Sequence, residues 1–289
     1  MNEKEFEKYF KVNSSRHHYI PQFLIKNFVD NNGMLYVYDK KKDEILSKQR
    51  APKSLFFELN RNTIEISKGQ KSSILEDTLY SEIDTRMSKV IKYFQTEDLN
   101  SIDFKLEDTS SLTFFLISLF WRIPKTDYAS EDVMKRSVIH SENKEDKKLK
   151  ENLAFKKISR AVLFKHHIDE ICQFGKKGTK WNNIHQNNKT MYVIGDFPFL
   201  LRREMNLFRE FTEIDLLFAL SSTRIYSETN EKLSTFTILN SNFYNAGIIH
   251  QSVNYVACAD KDVLANSVKF YKKLKDIGLI FTNEGAFKN

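Results

Sequence analysis

Breakers are scarce in this chain: 8 glycines and 4 prolines stand among 289 residues. Glycine supplies the freedom of tight turns and proline interrupts helices, so their scarcity argues against a loop-rich sandwich. Long helices fit better, and the same scarcity argues against a glycine-built nucleotide fold. Hydrophobic residues make up 41% and aromatics 13% of the chain, including 24 Phe and 12 Tyr. That is ample material for a packed core, and it rules out general disorder.

The local patterns predict the elements. Residues 2–11 read as a short charged helix. Pro21 suits a first helical turn, where its missing N–H costs nothing, and Phe23, Leu24, Asn27 and Phe28 follow at helical spacing. Asp30 to Gly33 is a turn signal, Met34 to Tyr38 a strand, and Glu44 to Ser47 its hairpin partner. Asn62 to Ile66 is a third strand. From Ser72 to Phe94 the residues Leu75, Leu79, Ile83, Met87, Val90, Ile91 and Phe94 hold the 3.6 period of a helix, and Ser73 with Glu76 fits a capping box.

Further helices are predicted over 108–123, ending at Pro124, and over 148–174, ending at Gly175 to Gly178. The charged run 141–150 reads as solvated. Beyond residue 189 short strands are predicted at Met191 to Ile194, Phe199 to Leu201, Ile214 to Phe218 and Thr223 to Tyr226. Helices follow at Asn242 to Ser252 and Lys261 to Leu274, with Tyr255 to Cys258 between them. The expected fold is α+β: a helix-rich single domain over 1–289, with short mixed or antiparallel strands at the N-terminus and in the C-terminal half. Its parts would be a β-containing stretch 12–70, a helical middle 71–188 and a β-rich stretch 189–289.

Net charge is +7 and the isoelectric point about 9.1. A modest basic excess favours polyanionic partners, here RNA or DNA. No run reaches the roughly 18 apolar residues of a membrane span. The N-terminus is acidic where a secretion signal is basic, so a cytoplasmic location is expected. Cys172 and Cys258 are far apart and flanked by apolar residues, which suits reduced core cysteines.

The run His17-His18-Tyr19-Ile20-Pro21-Gln22-Phe23-Leu24-Ile25-Lys26-Asn27-Phe28 resembles the opening signature of a bacterial family, the domain of unknown function numbered 4238. Gly33 to Lys40 is similar to that family's G-x-L-x-V-Y-D-K strand. Glu76 and Glu82 resemble its two glutamates on a long helix, and Arg122-Ile123-Pro124 its Arg-Thr-Pro element. Gly195-Asp196-Phe197-Pro198 resembles its Ser-Asp-Asn-Pro element, Ala219 to Ser222 its Pro-Leu-Ser-Pro, and Asn245 its late asparagine. The resemblance implies an uncharacterised family associated with anti-phage defence, and so an abortive-infection effector.

Candidate chemistry centres on the histidine pair. Neighbours on a strand point to opposite faces, so one histidine can face a cleft while the other is anchored. Near neutral pH a histidine serves as general base or metal ligand; the competing reading is a buried, hydrogen-bonded pair. Nucleases of the His-metal-finger type use a similar His-to-Pro segment, but here Pro21 leads straight into a helix, and no later histidine has the spacing of a second ligand. Asp196, before Pro198, is either a divalent-metal ligand or an Asx turn residue. Glu82 lies beside the apolar stripe as a candidate inward carboxylate, whereas Glu76 belongs to the predicted cap. Arg122 is either a phosphate clamp or a cation closing a helix.

Two functional readings stay open. The first is a metal-assisted nuclease or phosphodiesterase, with His18 as general base, His17 and Asp196 holding Mg²⁺ or Mn²⁺, and Glu82 and Arg122 completing the site. Gln22, Asn27 and Asn245 are its candidate substrate contacts. The second is a non-catalytic sensor that recognises a phage component or small ligand. Motifs for zinc proteases, serine hydrolases and dinucleotide binding are absent from the sequence.

Overall fold

A computed structural model describes residues 12, 15–67, 70–96, 106–136, 152–174, 181–203, 211, 213–230 and 238–279. In chain order the strands are β1 (Arg16–His18), β2 (Tyr36–Asp39), β3 (Glu44–Ile45), β4 (Phe57–Leu59), β5 (Ile64–Ser67), β6 (Gln70–Ser72), β7 (Trp181–Gln186), β8 (Ile194–Gly195), β9 (Phe199–Leu201), β10 (Leu216–Ala219), β11 (Arg224–Thr229) and β12 (Tyr255–Cys258). The helices are α1 (Gln22–Ile25), α2 (Ser81–Thr96), α3 (Leu106–Arg122), α4 (Asp127–Arg136), α5 (Leu153–Phe174), α6 (Ile238–Gln251) and α7 (Lys261–Asp276). The protein is thus a helix-rich α+β chain, and every strand pairing among the described residues is antiparallel. The predicted helix at 2–11, the charged run 141–150 and the helix end at 175–178 lie outside the described residues.

Contacts gather the chain into two compact units. Unit 1 comprises Met1–Tyr19, Phe57–Met87 and Ser110–Gly175, and unit 2 comprises Ile20–Phe56, Ser88–Thr109 and Lys176–Asn289. The stretches expected at 12–70 and 71–188 therefore each contribute to both.

Unit 1 holds the β1–β4 pair and the β5–β6 pair. Helix α3 carries its most apolar sequence: Leu112, Phe115, Leu116, Leu119, Phe120 and Trp121 are all buried. Burial of most of its circumference suits a helix this hydrophobic, with Ser110 and Phe114 on the face left exposed. Ahead of α2 the chain makes one π-helical turn, Leu75–Tyr80. The predicted capping box does not form there. Ser73 gives its hydroxyl to Asp77, and Glu76 turns away to accept from Asn62 Nδ2 at 2.7 Å. The wider turn aims Glu76 at a different partner, as such turns do when they re-aim a side chain.

Unit 2 contains two four-stranded sheets, ordered β7-β11-β10-β9 and β3-β2-β12-β8. The β2–β3 hairpin matches expectation, with Tyr38 opposite Ile45. Strand β12 lies between β2 and β8, three segments remote in sequence. Helix α7 buries Leu264, Val268, Tyr271 and Leu274, an amphipathic stripe at helical spacing. Asp260 caps it, accepting from the N–H groups of Asp262 and Val263 at 2.8 and 2.9 Å. Gly278, at φ +71, closes its far end in the left-handed conformation that glycine adopts without strain.

Strand β7 was not predicted, because Trp-Asn-Asn-Ile-His-Gln has no apolar alternation. It pairs with β11 over six positions at the edge of its sheet, where polar residues are normal. Conversely, most of Met191 to Ile194 makes no ladder. The N–H of Val193 goes to Asn245 Oδ1 at 3.1 Å instead.

Candidate functional site

The sequence pair His17–His18 sits on β1, with His17 opposite Glu58 and His18 opposite Phe57 on β4. Alternation along the strand separates the two rings, as predicted. His17 is fully buried, while His18 is half-buried beside the Phe57 ring at 5.6 Å between centroids. The backbone N–H of Asn62 donates to His17 Nδ1 at 2.9 Å. Accepting at Nδ1 leaves the proton of the neutral ring on Nε2.

From Asn62 a buried polar network spreads through unit 1. Asn62 Oδ1 accepts from Arg160 Nη2 at 3.4 Å, and the same Nη2 donates to the Arg61 carbonyl at 3.0 Å. Arg160 Nη1 reaches Asp127 at 3.3 Å. Arg61 forks onto Asp127 at 2.7 and 3.1 Å, reaches Glu58 at 2.8 Å, and donates through Nε to the Arg122 carbonyl at 2.7 Å. Arg122 then forks onto Asp84 at 2.6 and 3.1 Å and donates to the His18 carbonyl at 3.2 Å. Its guanidinium lies 4.5 Å over the Tyr80 ring. Buried guanidinium groups are tolerable only when paired this way.

Electrostatics follow from that packing. Burial opposes the charge on Arg122, but the charge and hydrogen bonds of Asp84, with smaller contributions from Glu76 and Tyr80, together outweigh it and raise the pKa. Burial also raises the Tyr80 phenol, against the pull of Arg160, Arg122 and Arg61. For Arg160, burial and the nearby Arg61 lower the pKa.

Each predicted site residue has a definite place. Arg122 is 2% exposed and its fork is occupied by Asp84, so the geometry is that of a tie between helices and β1. Glu82 is exposed, and the inward carboxylate is Asp84. Counting back from buried Met87, Asp84 lies three residues away on the same helix face and Glu82 five away on the other; that phase was the available signal. Nothing in the sequence pointed to Arg61, Asn62, Asp127 or Arg160, whose roles arise from pairings up to 99 residues apart.

The remaining candidates belong to unit 2. Asp196 is buried, and its carboxylate accepts the N–H groups of Val253, Asn254 and Tyr255 at 2.7, 2.6 and 3.3 Å. Asn245 is fully buried; its Oδ1 accepts from Val193, and its Nδ2 donates to the Met191 carbonyl at 3.0 Å and Ser267 Oγ at 3.1 Å. Asn27 donates to the Leu220 carbonyl at 3.1 Å. Gln22 begins α1 and is half-buried. Of the expected metal pair, His17 belongs to unit 1 and Asp196 to unit 2, where the Asp196 carboxylate caps a backbone turn. Among the described residues no three His, Cys, Asp or Glu side chains group as a metal-holding set. Nor is any helix among them long and apolar enough to cross a membrane.

A family model described as a protein of unknown function, DUF4238, matches residues 16–262. The chain belongs to the DUF4238 family. No curated protein and no solved structure matches it. The DUF4238 motif positions noted in the sequence fall into two groups of contacts. His17, Glu76 and Arg122 enter the network of unit 1, whereas Asn27, Asp196, Leu220 and Asn245 bind backbone segments together in unit 2.

Proposed function

We propose that this DUF4238 protein hydrolyses phosphodiester bonds in RNA or DNA during anti-phage defence, with His18 as general base. One observation carries the reading. Arg16 and His18, two apart on β1, share a strand face and flank the same Phe57 ring, at 5.1 and 5.6 Å from its centroid. Arg16 is exposed and His18 half-exposed, while His17 on the opposite face anchors the strand. A cation beside an imidazole suits a phosphodiester: Arg16 draws the phosphate, and His18 takes the proton of the attacking water as the new P–O bond forms. The P–O bond to the leaving oxygen breaks, and solvent protonates that oxygen. Among the described residues the donors do not group as a metal set, so no step is assigned to Mg²⁺ or Mn²⁺ and both are assay variables.

The test is cleavage of tRNA, total RNA and plasmid DNA, with Mg²⁺, Mn²⁺ or EDTA, by wild type, His18→Ala and Arg16→Ala. Cleavage lost in His18→Ala, with an unchanged thermal unfolding curve, supports the reading. Folded wild-type protein that cleaves none of them removes it. The second reading, a non-catalytic sensor, draws support from the buried network itself, whose arginines and carboxylates are paired with each other.

A further inference from the structure

Unit 1 also contains a cavity of about 330 Å³ whose floor includes the buried Arg61 and Arg160. Lys156 and Lys157, from the first turns of α5, line its wall. Leu59 and Leu153, each 65% exposed, lie at its rim. Three carboxylates, Glu58, Asp127 and Glu131, share the lining with these four cations.

The carboxylates are unevenly used. Asp127 serves both arginines and Glu58 serves Arg61. The Lys157 ammonium is held by two neutral carbonyls, of Asn60 at 2.6 Å and Thr63 at 2.8 Å. Lys156 makes no side-chain hydrogen bond or ion pair among the described residues. Burial, then the charges of Arg160, Arg61 and Lys71, hold the Lys157 pKa below its ordinary value. The four cations exceed the three carboxylates of the lining by one charge, and among the described residues neither Lys156 nor Lys157 has a carboxylate partner, so the wall attracts an entering anion.

We propose that this cavity binds a phosphomonoester carried by a nucleotide, the phosphate facing Arg160, Lys156 and Lys157 and the sugar and base resting on Leu59 and Leu153. Arg160 spends three guanidinium N–H bonds on Asp127, Arg61 and Asn62, which leaves two of its five donors for phosphate oxygens. The volume sits at the small end of ligand pockets, which run from about 300 to 1,000 Å³, so one nucleotide fits better than a longer ligand. That nucleotide is either free or the terminal residue of a strand. The lining includes neither Arg16 nor His18, although Leu59 lies opposite Arg16 across β1 and β4, and binding there does not depend on hydrolysis.

The experiment is isothermal titration in EDTA, without turnover, using AMP, adenosine, a 5′-phosphorylated oligonucleotide and its 5′-hydroxyl counterpart. Each phosphorylated probe that binds is expected to do so at least tenfold more tightly than its unphosphorylated partner. Lys156→Glu, a change at a wall residue outside the buried network, is expected to weaken binding at least tenfold, and Lys156→Arg to retain it. Binding of AMP identifies a free nucleotide as ligand, and binding of the oligonucleotide alone identifies a strand end. Folded wild-type protein that binds neither phosphorylated probe, or shows no preference for phosphate, overturns the proposal. So does Lys156→Glu protein that binds as tightly as wild type.

Discussion

Arg122 and Asp84 form a two-bond fork across 38 positions of sequence, Nη1 on Oδ1 at 2.6 Å and Nη2 on Oδ2 at 3.1 Å. The arginine is buried and also holds the His18 carbonyl, so this ion pair secures the strand that carries the histidines. Removing one partner leaves a buried charge uncompensated. Asp84→Ala is expected to lower stability by about 3–5 kcal/mol, read as a shifted midpoint in urea. Glu82→Ala, on the exposed face, is expected to stay within about 0.5 kcal/mol of wild type. Equal effects from the two would remove the structural role given to Asp84.

Asp196 caps a turn through three backbone N–H groups. Asp196→Ala leaves these part-buried donors without their carboxylate, at a cost of about 1–3 kcal/mol. Asp196→Asn, which keeps one acceptor oxygen, is expected to lose less. Thermal unfolding without added metal distinguishes this role from that of a metal ligand, whose loss would leave the metal-free protein as stable as before.

Gly195 has no room for a side chain. A Cβ there would lie 2.1 Å from Ser252 Oγ and 2.9 Å from Ile248 Cγ2. Gly195→Ala is expected to cost about 1–3 kcal/mol through overpacking. Adding Ser252→Ala removes the nearer clash and should recover part of that loss. If the double variant is no more stable than the single one, the clash is not the cause.

His185 is buried on β7 with Nε2 3.1 Å from Ser227 Oγ, and burial pushes its pKa down to about 4. The unfolded chain, with an ordinary histidine, binds the proton first as pH falls below about 6.5. The stability His185 contributes is therefore complete above that pH and drains away between about 6.5 and 4. Unfolding free energies measured across this window should decline less steeply in His185→Gln than in wild type. Parallel slopes would mean that another group sets the acid limit.

Much of the fold was legible because helices and hairpins arise from interactions between near neighbours. Leu264, Val268, Tyr271 and Leu274 mark the buried face of α7 by spacing alone, and the turn signal before Tyr36 announces the β2–β3 hairpin. The separation of His17 and His18 was likewise readable, since alternation is a property of any strand. Strand β7 was not, because its polar sequence becomes a strand only through the partner β11 offers.

The candidate site divides along the same line. By itself the sequence determined that a histidine pair stands at the head of the chain and that Arg122 ends an apolar helix. Only the tertiary structure decided that Asn62 meets His17 and that Asp84, not Glu82, meets Arg122. Only it could reveal that Arg61 and Arg160 converge on Asp127. Helical and strand periods are repeated every few residues and leave a trace in composition. A buried polar contact is made once, between segments the chain brings together only on folding, and desolvation then requires each group to find its partner there.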